Sequence, residues 1–248
     1  MRLVQIEERE DSLWVGLNRP ERRNALDQEM IDELHLVIDS ANKGQPRILV
    51  LHSLVEGAFV SGADIAELLE RNADSAMLAI NAALFDKLER FRWPTIAVVD
   101  GYALGGGCEL AMACDFRFAS ERGKFGQPEL SLGILAGAGG NWRLPELVGI
   151  SMARQMLYAG RVLDSMEALD YGLVDQVYNH QELLSKVDEY VAVIASKSWR
   201  ALELTKLSVA SQRKATTSLD VIAQALLFES EDKRIRMGKF LNKKGKSS

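Results

Sequence analysis

Two short segments, RILVLHS (residues 47–53) and TIAVVDG (95–101), carry almost nothing but apolar residues through their centres. A strand buried on both faces has this pattern, whereas a strand wetted on one face alternates. Each is followed by a glycine-containing turn and then by a helix-period pattern, which is how a chain covers both faces of a sheet with helices. SLWVGLNRP (12–20) alternates as a strand that Pro20 stops, and DFRFAS (115–120) and KFG (124–126) add further short strands. Asp27 is placed to cap a helix whose apolar positions Met30, Ile31, Leu34, Val37, Ile38 and Ala41 keep the 3.6 period until Gly44. Helices are predicted near 141–148, over 151–159 closed by Gly160, and over 165–171 closed by Gly172. From about Gln181 onward, including WRALELTKLSVASQ and SLDVIAQALLFESEDKRIRMGKFL, the pattern is helical throughout. These readings predict an α/β core over residues 1–190 and a helical region over 191–248.

Charge and cysteine usage exclude several classes. Of 248 residues, 30 are Lys or Arg and 35 are Asp or Glu, a net charge of −5. The only basic run is the tail NKKGKSS, so the electrostatic footprint of a nucleic-acid binder is missing and an anionic ligand must be met by local groups. Cys108 and Cys114 form neither a disulfide framework nor a paired zinc spacing and read as buried thiols. His35, His52 and His180 are far apart, and nothing in the sequence pairs one with a nucleophile or a metal ligand. No metal site is expected. The start, MRLVQIEERE, has no apolar run of signal-peptide length, and no stretch of about 18 apolar residues occurs, so the expected setting is cytoplasmic, away from any membrane.

The glycine run in YALGGGCELA (102–111) has two possible uses. It is not a P-loop, and GAGGNW (137–142) fails the dinucleotide fingerprint because Trp142 stands at its last glycine. Gly105, Gly106 and Gly107 instead lead a strand into an apolar helix. The first N–H groups of a helix lack intrahelical acceptors, and without Cβ atoms a ligand oxygen can reach them. Close packing of strand against helix is the other use of such a run. A second segment, GAFVSGADI (57–65), breaks in the same way at Ser61, and two amides aimed at one point make an oxyanion hole. Two acids accompany them: Glu109 in the first turn or so of the glycine-led helix, and Glu129 beside Pro128 in FGQPELSLG. Singly, they read as a helix-start acid and a loop acid. Together, converging carboxylates can divide acid and base roles.

These segments in order, LNRPERRNALD, AFVSGADI, GYALGGGCELAMACDFRFASE and FGQPELSLGILAGAGG, resemble the crotonase superfamily, most closely its enoyl-CoA hydratases, over about residues 12–180. SEDKRIRMGKFLNKK continues the similarity weakly. The resemblance implies a crotonase-like α/β fold, a spiral of ββα turns with a helical C-terminal part that helps form a homotrimer or a dimer of trimers. It implies an oxyanion hole from the amides of Ser61 and Gly106, with Glu109 and Glu129 holding the water that adds to the double bond. For coenzyme A, which is part of the substrate, no separate cofactor being implied, it places Ala63, Asp64 and Ile65 at the adenine pocket. Arg22 or Arg23 is placed near the phosphates, a solvated arginine pair being the alternative, and Lys239, Lys243 and Lys244 read as a frayed polar tail within possible reach of a phosphate. Relatives that move a double bond or act as other CoA-thioester lyases use the same hole, and a non-catalytic CoA- or RNA-binding relative is the alternative of another class. Ser61, Ala136, the turn HSLVEGAF and Arg236 depart from the usual pattern.

Overall fold

The computed structural model describes residues 2–210, 225 and 227–244. Among these described residues, ten strands form two sheets. The larger has the order β1(Val4–Glu8), β2(Ser12–Leu17), β3(Ile48–Ser53), β5(Thr95–Val99), β7(Phe116–Ser120), β10(Gln176–Tyr178), antiparallel only between β1 and β2. The smaller has the order β4(Ala58–Val60), β6(Tyr102–Leu104), β8(Lys124–Gly126), β9(Leu163–Asp164), with β4, β6 and β8 parallel.

The chain alternates between the sheets. β3 passes to β4 and then to α2(Ile65–Glu70), α3(Ala73–Met77) and α4(Ile80–Glu89). β5 passes to β6 and α5(Gly106–Met112), and β7 passes to β8 and α6(Gly140–Ala159). Each pass is one ββα turn, so the spiral expected from the family resemblance is the observed architecture. Chains at the carboxyl ends of neighbouring parallel strands emerge side by side, about 4.8 Å apart. The segments after β4, β6 and β8 are therefore brought together although about 40 and 20 residues separate them.

α1(Gln28–Lys43) starts where the capping rule places it, with Asp27 Oδ1 accepting from the Met30 N–H at 2.9 Å, and it buries Met30, Ile31, Leu34, Val37 and Ile38. α6 is two helices in practice, because Gly149 (φ 73°, ψ 156°) is not helical, matching the two predicted segments, and α7(Ser165–Asp170) forms where the helix over 165–171 is predicted. The elements not read from the sequence are β1, β6, β9 and β10, each five residues or fewer. β6 is the consequential one: a strand, not only a turn, separates β5 from the glycine run.

The helical stretch read from about Gln181 opens with a helix at Leu183. α8(Leu183–Ala195) spans residue 190 and packs Leu183, Val187, Val191 and Ile194 on the outer face of the large sheet, against Trp14, Val50, Ile96 and Phe118. α9(Trp199–Ala210) and α10(Glu231–Lys244) follow, and residues 211–224 of the predicted helical stretch lie outside the described residues. Both cysteines are buried, and burial pushes their thiols up, Cys114 to about 12.

Candidate active site

The loop Arg19–Leu26 sets the first wall. Asn24, fully buried in a left-handed conformation (φ 56°), donates to Ser53 Oγ at 2.8 Å and Phe59 O at 3.0 Å, and accepts the Arg19 N–H at 2.7 Å. Arg19 bridges Asp27 and Asp64, the caps of α1 and α2, at 3.0 Å each. So held, Leu26 pairs with the chain after β4: its N–H donates to Gly62 O, and its carbonyl accepts the Asp64 N–H, both at 2.8 Å. In a parallel bridge of this form the central residue of the partner chain turns its own N–H to the opposite side. That residue is Ala63.

Here the structure corrects one expectation. The Ser61 N–H donates to Arg23 O at 3.1 Å, and the Ser61 hydroxyl donates to Arg22 O at 3.1 Å. It is engaged and does not serve a ligand. The Ala63 N–H has no acceptor among the described residues, and a Cβ built on Gly106 would lie 3.6 Å from the Ala63 nitrogen. Ala63 and Gly106 are therefore the adjacent pair of available amides. The sequence signal for this was present but unused: the break in VSGAD is a turn, and only the fold tells which of its amides points outward.

The three glycines do different things. Gly105 has φ 52°, and a Cβ there would sit 2.8 Å from Glu129 Oε1. At Gly107 a Cβ would lie 2.1 Å from Val60 O, so only glycine lets α5 pack on β4. Gly106 meets no such clash, its nearest contacts being 3.6 to 3.7 Å away. Its missing side chain leaves open the space between the two amides.

Both glutamates face one cavity of about 700 Å³, whose wall also includes Ala63 and Gly106. Glu109, 3% exposed, accepts the N–H groups of Ala138 and Gly140 at Oε1, both at 2.8 Å. These two donors fix the direction in which its carboxyl points. Glu129 opens a short 3-10 turn, Glu129–Leu132, and is 8% exposed. Burial, and secondly the charge of Glu109, hold its carboxyl well above the usual carboxylate range. With its amide nitrogen as donor, buried Gln127 reaches Glu129 Oε1 at 3.0 Å and Oε2 at 3.1 Å.

Arg143, fully buried on α6, was not read from the sequence. It donates to Ala138 O at 2.7 Å, is paired with Asp86 (3.0 Å) and Glu89 (2.7 Å), and stacks on Trp142 at 4.1 Å. It therefore anchors the loop whose amides grip Glu109.

Of the residues assigned to coenzyme A, Ala63 and Ile65 line the cavity, while the Asp64 side chain turns away to cap α2 and meet Arg19. Arg22 and Arg23 are exposed beside Ser61, and neither is on the cavity wall. Lys239 is on the wall, contributed by α10 together with Ile235 and Phe240. The side chains of Lys243, Lys244 and Arg236 lie outside the described residues. α10 is held there by Lys233, 1% exposed, whose ammonium donates to the carbonyls of Leu68 (3.4 Å), Leu69 (3.1 Å) and Arg71 (2.7 Å) at the end of α2.

The family model described as enoyl-CoA hydratase/isomerase matches residues 8–245. A crotonyl-CoA hydratase of Syntrophomonas wolfei is 39% identical over 246 residues, spanning 96% of this chain and 94% of its own. A short-chain-enoyl-CoA hydratase of Clostridium acetobutylicum is 37% identical over 237 residues, 93% of this chain and 91% of its own. Among solved structures, an enoyl-CoA hydratase from Bacillus anthracis matches with a TM-score of 0.82 at 31% identity, covering 98% of this chain and 97% of that one.

Proposed function

Because this chain belongs to the enoyl-CoA hydratase/isomerase family, we propose that it hydrates a 2-enoyl-CoA thioester to the 3-hydroxyacyl-CoA. The observation that carries this reading is the presence of Glu109 and Glu129 on the wall of the cavity that also holds the Ala63 and Gly106 amides. The thioester oxygen sits between those two N–H groups. As water attacks the β-carbon, negative charge moves onto that oxygen, and each amide donor aimed at it lowers the barrier by about 3 to 4 kcal/mol. The Glu109 carboxylate takes a proton from the water while its oxygen bonds to the β-carbon. Glu129, kept protonated by burial, gives its proton to the α-carbon, and proton exchange through water resets the pair. The sum is one H and one OH added across the double bond. Coenzyme A enters as part of the substrate, and the reaction so drawn calls on no metal or further cofactor.

Moving a double bond requires only one acid–base group, so the pair of carboxylates favours hydration over isomerisation. A panel of 2-enoyl-CoAs, followed by loss of the conjugated thioester absorbance, tests this. No turnover of any member, with coenzyme A still bound, would replace the reading with a non-catalytic one.

The working form is taken to be a homotrimer or a dimer of trimers in the cytoplasm, serving fatty acyl chains. On α9, Leu204, Leu207 and Val209 are 48%, 66% and 69% exposed, an apolar surface suited to a symmetric contact. A monomeric mass at micromolar concentration would refute the trimer. No helix among the described residues is long and apolar enough to cross a membrane.

A further inference from the structure

Beside the cavity lies an apolar cluster separate from the main core, which includes Leu68, Ala76, Ile134, Phe228 and Met237 and has Ala63 and Leu132 packed against it. Its members come from both sides of the site. Ala63 offers one amide of the oxyanion hole, and Leu132 ends the 3-10 turn that Glu129 begins. α10 packs on α2, which follows Ala63, and on that turn. The helix therefore bridges the chain behind the oxyanion amide and the chain that carries the acid, and its Ile235, Lys239 and Phe240 line the cavity.

Lys233 and Met237, one turn apart on α10, are 1% and 0% exposed and mark its packed face. An ammonium has three N–H donors, and the carbonyls of Leu68, Leu69 and Arg71 receive them. The last carbonyls of a helix lack intrahelical donors and attract positive charge, so the end of α2 supplies what a buried ammonium requires. The same ammonium lies 5.0 Å from the centre of the Phe228 ring, which is on the cavity wall. An apolar side chain at 233 would leave buried carbonyls without a donor and loosen the helix from its seat. We propose that Lys233 is a positioning residue for hydration: by docking α10 on the end of α2 it braces the turn that carries Glu129 against the oxyanion side of the site and completes the wall that holds the substrate. The proposal rests on the hydration reading above.

The test compares wild type, Lys233→Met and Lys233→Arg by hydration of 2-butenoyl-CoA and by amide hydrogen exchange, well below the melting temperature. Lys233→Met should lower kcat/KM by roughly tenfold or more, through a fall in kcat as well as a rise in KM, given how steeply rate depends on the placement of catalytic groups. Exchange should quicken over residues 129–134 and 231–244 and stay at wild-type rates in α1 and β5, which belong to other packing units. Lys233→Arg, which keeps N–H donors, should recover part of both. In a Glu129→Gln background, Lys233→Met should lower kcat by less than about threefold, because a residue that acts through Glu129 has nothing left to position. Wild-type kcat/KM in folded Lys233→Met overturns the proposal. So does a full further loss of kcat in the Glu129→Gln background, or faster exchange spread evenly over the protein, which would make Lys233 a stability residue only. Should Lys233→Met fail to fold, Met237→Ala, which loosens the same face of α10 without stranding the carbonyls, is read by the same measurements and criteria. Wild-type protein inactive on 2-butenoyl-CoA defeats the hydration reading instead, while the exchange pattern still decides whether Lys233 docks α10, which keeps the two failures apart.

Discussion

The backbone N–H of Ser61 donates to the carbonyl oxygen of Arg23 at 3.1 Å, while the N–H of Ala63, two residues on, faces Gly106 with no acceptor among the described residues. Replacing the peptide bond that carries the Ala63 N–H with an ester should lower kcat by roughly a hundredfold or more, as loss of one oxyanion donor does. The same replacement at Ser61 should leave kcat within a few-fold and lower stability by about 1 kcal/mol, one net hydrogen bond. Turnover and chemical denaturation of the two ester proteins check this. The reverse pattern would return the role to Ser61.

Gly106→Ala and Gly107→Ala should fail in opposite ways. A methyl at Gly106 meets no protein atom closer than 3.6 Å, so the protein should fold with a melting temperature near wild type and lose catalysis, because the methyl occupies the place of the thioester oxygen. A methyl at Gly107 would lie 2.1 Å from Val60 O, so that protein should be strongly destabilised. Melting temperatures and turnover of the two proteins give the comparison, and an active Gly106→Ala enzyme would contradict the site as drawn.

Glu109→Gln and Glu129→Gln should each reduce hydration at least a hundredfold, and the double variant should lose little more than the worse single one, as groups acting together do. Glu109→Gln should retain some exchange of the α-proton with solvent deuterium, since Glu129 remains. Hydration within about twofold of wild type in Glu109→Gln would point to single-acid chemistry.

The pH dependence follows from Glu129. Burial first and Glu109 second hold its carboxyl above the ordinary value of 4.5, so the folded protein binds this proton more tightly than the unfolded chain. That stabilisation is complete below the ordinary carboxylate range and is lost as pH rises through the raised value. Hydration should fall over the same alkaline limb, because the α-carbon proton is then missing. In Glu109→Gln the like charge is gone, so the decline of melting temperature with rising pH should end at lower pH and be smaller in total. Melting curves across the pH range measure both; equal profiles would show that the two carboxyls do not interact.

Arg143 touches neither cavity nor substrate, yet it holds Ala138, whose amide holds Glu109. Arg143→Met should lower kcat by about tenfold or more with little change in KM, given how steeply rate depends on the placement of catalytic groups. Arg143→Lys should recover part of it. A loss confined to thermal stability, with kcat intact, would make Arg143 purely structural.

What the sequence determined by itself was local. Asp27 capping α1, the apolar centres of β3 and β5, the separate helical segments near 141–148 and over 151–159 and the presence of two acids near glycine-marked turns follow from capping, periodicity and backbone freedom, all of which act over a few residues. The tertiary structure decided what depends on direction and distance. β6 and β9 are too short to show a period, yet the small sheet they build sets Ala63, Gly106 and Glu129 side by side. Ser61 and Ala63 look alike in the sequence as turn amides, and only pairing with Leu26 and Arg23 turns one inward and the other toward the cavity. Nor could Arg143 be told from any other polar residue on a helix, because burial arises only when distant segments close around a side chain.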